Sequence, residues 1–165
     1  EIGVRLVGSE MCIRDRMHPE GGHIFVHRRP DDPMAKGICP YHGNCLEGLA
    51  SGPAIERRWG RKGVELSDCL AVWELEAYYI GQAICTYICT LSPERIVVGG
   101  GVMHQEQMLP LIRREVRRQM HGYIQGKGMD QLEEYIVPVS LGDNQGVMGG
   151  VKLAMDAYTE AGGTL

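Results

Sequence analysis

Positive charge is in short supply here: 17 Lys and Arg stand against 21 Asp and Glu, for a formal net charge of −4 over 165 residues. Non-specific nucleic-acid binding needs a basic surface that displaces counterions, so that class of function is disfavoured. Long apolar runs are also lacking. None approaches the roughly 18 residues of a membrane span, and the first residues hold no apolar stretch of the kind a secretory signal needs. Neither an internal repeat nor a low-complexity tract interrupts the chain. With no secretory signal, a reducing cytoplasm is the expected compartment. Paired cysteines there are more often metal ligands than disulfides.

What is present fits one globular domain with its own core. Hydrophobic residues make up 44% and charged residues 23%, the balance of a folded, soluble protein. The 23 glycines cluster in short runs, at Gly21-Gly22, Gly99-Gly100-Gly101 and Gly149-Gly150, which suggests tight turns and close backbone approaches. Residues 1–16 show no clear period. The run from Val7 to Arg16 resembles a translated sequencing adapter, so 1–16 is expected to be non-native and Cys12 receives no role. A genuine strand and loop is the alternative.

From Met17 onward the pattern alternates. Ile24-Phe25-Val26 reads as a short strand, and His27 to Pro33 as a loop. Leu46 to Trp59 has helical spacing, broken near Ser51-Gly52-Pro53, with Pro53 suited to open a second piece. A long helix is expected over 67–91, capped by Ser67 or Asp68. Its apolar residues Leu70, Trp73, Ala77, Ile80, Ile84 and Ile88 recur every three or four positions. Arg95 to Val98 reads as a buried parallel strand closed by glycines. A helix over 105–120, a strand over 135–139 and a last helix over 147–161 follow. Helix and strand alternating in this way imply α/β layering around a mainly parallel sheet.

The chemistry gathers in Cys39-Pro40-Tyr41-His42-Gly43-Asn44-Cys45. Three soft or borderline ligands lie on one loop with two residues between each and the next. Zinc takes four such ligands in a tetrahedron. His23 is the best fourth candidate, ahead of His18 and His27. A site of two thiolates and two imidazoles is neutral and closed, hence structural. Structural zinc contributes on the order of 10 kcal/mol to folding. The competing view makes Cys39 and Cys45 buried thiols and leaves His42 on the surface. Cys85 and Cys89, one turn apart amid Ile84 and Ile88, suit core packing at least as well as redox or metal chemistry. The arginines Arg113, Arg114, Arg117 and Arg118 read as a solvated helix face.

The string Glu20-Gly21-Gly22-His23-Ile24, followed by Cys39 through Ile55 (CPYHGNCLEGLASGPAI), resembles the signature of the ROK family (repressor, open reading frame, kinase). The resemblance covers residues 17–165. His42 between two cysteines is similar to the fructokinase branch, where many other members carry cysteine. The resemblance implies the C-terminal domain of the actin-like ATPase fold (ribonuclease H-like, sugar kinase), with an inserted zinc-binding loop and the N-terminal domain missing. A zinc- and sugar-binding loop would occupy 20–48, and a nucleotide-side α/β part 60–165. Glu20, His23 and Glu47 match positions that hold sugar hydroxyls. His23 would bind zinc with one ring nitrogen and face the sugar with the other. Pro53, Gly99, Gly100, Gly101, Val102 and Met103 match positions along ATP. Without the motif, Glu47 would read as a solvated carboxylate at a helix start, and the glycine turn as one of many that hold no ligand.

The activity so implied is transfer of the ATP γ-phosphoryl group, with Mg²⁺, to a hexose hydroxyl. Fructose leads, followed by glucose, mannose and N-acetylated hexosamines. The catalytic base is expected upstream of Met17, so this stretch alone should not turn over substrate. ROK kinases commonly form homodimers, and the apolar helix around Ala77 to Leu91 would serve that purpose or fill the core. A sugar-responsive repressor of the same family is the alternative, and only that reading brings in nucleic acid. A small zinc-stabilised module without a catalytic parent is a third.

Overall fold

A computed structural model describes residues 2–3 and 20–163. Two parallel pairings build its sheet. Strand β1 (Ile2–Gly3) lies beside β2 (Ile96–Val98), and β2 beside β3 (Ile136–Pro138), in the order β1-β2-β3. Ile96 and Val98 are buried and β-branched, the side chains that fit a covered pleated surface. The α/β layering expected from the alternating pattern is what the chain adopts. The expectations for residues 4–19, with His18 and the adapter-like run from Val7 onward, lie outside the described residues.

The centre of the molecule is helix α3 (Leu70–Leu91). Helices α1 (Leu46–Leu49) and α2 (Gly52–Trp59) precede it, and α4 (Met108–Met120) packs along it. One side of α3 sends Val72, Trp73, Ala77, Ile84 and Ile88 into a core shared with Ile96, Val98, Ile112, Val116 and Ile136. Another side sends Leu75, Tyr79, Ala83 and Tyr87 into a smaller core with Val26, Leu46 and Leu49. A helix apolar over most of its circumference belongs inside a domain. The periodic residues read from the sequence trace mainly the sheet side. Ala77, Ile84 and Ile88 are consumed by the core of this chain, whereas Leu70 is 54% exposed.

Several boundaries differ from the sequence expectations, each for a local reason. Ile24–Val26 forms no strand, only an antiparallel bridge between Phe25 and Cys45, because the 39–45 loop offers it one residue of pairing. Ser67 and Asp68 do not cap α3. Residues 63–66 form a single tight turn, Cys69 occupies the cap position without a side-chain bond, and the Ser67 carbonyl accepts from Gln107 Nε2. The helix expected over 105–120 starts three residues later, as α4, and a separate tight turn at Gly101–His104 precedes it. The break before α2 falls where Pro53 suggested. Ser51 Oγ accepts from the Ala54 N–H at 3.3 Å, and Pro53 lies in the first turn. Short helices α5 (Lys127–Asp130) and α6 (Leu132–Tyr135) lead into β3, and α7 (Gln145–Glu160) ends the described chain.

Candidate metal centre and the cleft above it

The 39–45 loop is built from close backbone approaches. The chain turns at Gly43, which adopts φ +65°, a conformation that strains any residue with a Cβ. Its carbonyl oxygen wedges against the next segment so closely that a Cβ on Gly48 would overlap it. The Ile38 N–H donates to the Gly48 carbonyl, and the Gly37 N–H donates to Asn44 Oδ1, each at 2.9 Å. The Leu46 N–H donates to the Ile24 carbonyl, which joins the loop to the segment carrying His23.

Those approaches bring four ligand atoms together. One from each of His23, Cys39, His42 and Cys45 lies within 4.8 Å of the others. His23 Nδ1 is 3.8 Å from Cys39 Sγ and 3.6 Å from Cys45 Sγ, and His42 Nδ1 is 3.8 Å from Cys39 Sγ. Bond lengths of about 2.3 Å to sulfur and about 2.05 Å to nitrogen give a tetrahedron with S···N edges of about 3.6 Å. The donor set therefore fits a zinc ion in both chemistry and spacing. Among the described residues no second cluster of this kind occurs, and His27 stays outside it. His27 instead engages α3 through its backbone, its N–H donating to Gln82 Oε1 and its carbonyl accepting from Gln82 Nε2.

The two thiols differ electrostatically. The His42 N–H points at Cys39 Sγ at 3.5 Å. Chiefly through that bond, the Cys39 thiol is drawn down to about 6, toward the thiolate that binds metal. Cys45 is wholly buried, and that burial pushes its thiol up. A cation between the two sulfurs would offset that penalty.

His23 divides its ring between two tasks. Nδ1 faces the sulfurs, and Nε2 lies 3.1 Å from Glu47 Oε2. A carboxylate on the distal nitrogen fixes tautomer and ring orientation. The nitrogen expected to face a ligand directly is thus already engaged, and Glu47, 59% exposed at its side chain, is the group that projects. The turn carrying Glu20 and His23 is held from behind by α3, where Tyr87 Oη donates to the Gly21 carbonyl at 2.6 Å.

Above the loop lies a cleft of about 770 Å³. Its lining includes Glu20, His23 and Glu47, Pro53, and Gly99, Gly100, Gly101, Val102 and Met103. The sugar-side and nucleotide-side residues singled out from the sequence thus border a single cavity. Sequence reasoning missed a buried cluster of Asp32, Arg58, Glu76 and Tyr79. The available signal was Glu76, a lone acid flanking Trp73, Ala77 and Ile80 on the apolar side of a helix.

Comparison with known proteins places this arrangement first in a class. The fold resembles the crystal structure of a ROK hexokinase from Thermus thermophilus, with a TM-score of 0.60 at 23% identity over 79% of this chain and 45% of that one. The class is thus the actin-like sugar-kinase fold. The ROK family pattern matches residues 6–157, and the chain belongs to the ROK family. Curated relatives include the "Putative fructokinase" of Bacillus subtilis (strain 168), 48% identical over 94% of this chain and 52% of its own length. "Fructokinase" of Pediococcus pentosaceus is 38% identical over 97% of this chain and 54% of its own length. "Fructokinase" of Zymomonas mobilis is 44% identical over 88% of this chain and 48% of its own length. The chain spans about half the length of the curated relatives it matches.

Proposed function

We propose that this chain forms part of an ATP-dependent hexose kinase, a fructokinase, working in the cytoplasm on fructose and Mg²⁺-ATP. The observation that carries the reading is the shared cleft of about 770 Å³, whose lining includes two carboxylates, an imidazole and a glycine turn. Hexose hydroxyls both donate and accept, so Glu20 and Glu47 suit them. His23 serves by holding Glu47 in place. The turn from Gly99 to Met103 lets backbone approach a nucleotide closely. Zinc, held by His23, Cys39, His42 and Cys45, would order the loop and take no part in phosphoryl transfer. In such a transfer the protein contributes positioning and electrostatic stabilisation above all. The named relatives support fructose as acceptor over other hexoses.

The test replaces the matched half of the Zymomonas relative with residues 17–165 and follows ADP release. We expect release that depends on fructose, and at least a ~100-fold loss of kcat/KM on Glu47→Ala. Residues 17–165 alone should release none. A folded, zinc-loaded hybrid that phosphorylates glucose or mannose but not fructose would refute the choice of sugar. One that phosphorylates none of them would refute the kinase reading.

A further inference from the structure

Three buried donors of one side chain reach three separate segments of the chain. The Arg58 side chain is fully buried. Its Nε donates to Asp32 Oδ1 at 2.9 Å, its Nη1 to Glu76 Oε1 at 2.6 Å, and its Nη2 to the Leu49 carbonyl at 2.7 Å. Asp32 sits in the irregular stretch between His23 and Cys39, and Leu49 closes the helical turn that follows Cys45 and carries Glu47. Glu76 belongs to α3. Asp32 is also held by Tyr79 Oη, which donates to Oδ2 at 2.6 Å, and by the Met34 N–H, which donates to Oδ1.

Burying two acids and a guanidinium is an inefficient way to gain stability, since well-packed apolar groups do as well or better. A planar guanidinium does something apolar groups cannot: it fixes the directions of its acceptors relative to one another. Here the acceptors lie on both arms of the metal loop and on the helix behind them. None of the three side chains belongs to the ligand cluster.

We propose that Arg58 is a positioning residue for the metal site. By tying Asp32 and the Leu49 carbonyl to α3, it sets the geometry in which His23, Cys39 and Cys45 converge, and with it how tightly and how long the loop holds its ion. The inference rests on the zinc reading given above.

Chelator-competition titrations of this chain with Zn²⁺, and with Co²⁺ for its absorption spectrum, test it. Arg58→Lys keeps the charge but loses the fork, and Asp32→Asn keeps the shape but loses the charge. Each should weaken Zn²⁺ binding about 10-fold and speed its release to chelator, in line with the loss typical of groups that orient ligands. The Co²⁺ bands of a two-sulfur tetrahedral site should persist, because every ligand remains. Glu76→Gln, which alters only the helix end of the cluster, should stay within about 2-fold of wild type. A merely structural role would lower the thermal midpoint of the variants while leaving metal affinity of the folded protein unchanged, and that result in Arg58→Lys overturns the proposal. If Arg58→Lys does not fold, unchanged affinity in Asp32→Asn overturns it instead. A wild-type chain that shows no thiolate–Co²⁺ absorption sinks the zinc reading itself and this inference with it, a failure distinct from unchanged affinity in the variants.

Discussion

At Glu76 a carboxyl group is wholly buried, with Oε1 on the Arg58 guanidinium and Oε2 without a partner. Burial pushes it up to about 8; Arg58 pulls the other way and Asp32 adds to the rise. The raised value favours the protonated form of Glu76 in the folded chain. In the unfolded chain the same group ionises near 4.5. Between about 4.5 and about 8 the folded state binds the extra proton, so stability falls as pH rises through that window. Glu76→Gln mimics the protonated group and removes the loss. Urea unfolding from pH 5 to pH 8 should show a downward slope in wild type that flattens in this variant. A slope unchanged by the substitution would contradict the assignment.

Helix α2 shows how far an element could be read in advance. Pro53 announced its start and lies in the first turn, while the cap, Ser51, emerges only from the structure. Ser51→Ala should cost about 1 kcal/mol, measured by urea denaturation of the zinc-loaded chain, and Ser51→Asp should recover most of it. The spacing of Cys39, His42, Cys45 and His23 was equally legible, because ligands on a short loop leave few ways to converge. Other features were not. Leu75, Tyr79, Ala83 and Tyr87 recur every fourth residue on a second side of α3, and two hydroxyls there disguised a buried stripe as a half-polar one. Those hydroxyls end on Asp32 and on the Gly21 carbonyl, partners 47 and 66 residues away. Local periodicity carries no information at that separation. Ile24–Val26 failed as a strand for the same reason, since its partner is the 39–45 loop, shaped by close backbone approaches at Gly43 and Gly48 rather than by alternation.

For the whole molecule, the two cores that share α3 differ in what closes them. The sheet-side core joins α3 to α4, β2 and β3 through extensive apolar packing. The other core is small, and its outer wall is a loop region held by Arg58, Asp32 and the four candidate ligands. Removing zinc should therefore open one side only, because local stability follows local packing. In hydrogen–deuterium exchange, stripping the metal with a strong chelator should speed exchange over 21–49 at least about 10-fold. Residues 96–98 and 108–120, together with the sheet-facing turns of α3, should change little. Helix α7 supplies an internal standard. None of its residues is buried, and Val147, Val151 and Tyr158 are 70%, 45% and 53% exposed, so its amides should exchange fast with or without metal. Uniform acceleration across both cores would show that the ion supports the entire fold. No acceleration over 21–49 would show that buried contacts alone, Tyr87 on Gly21 and Arg58 on Leu49 among them, suffice to hold the loop.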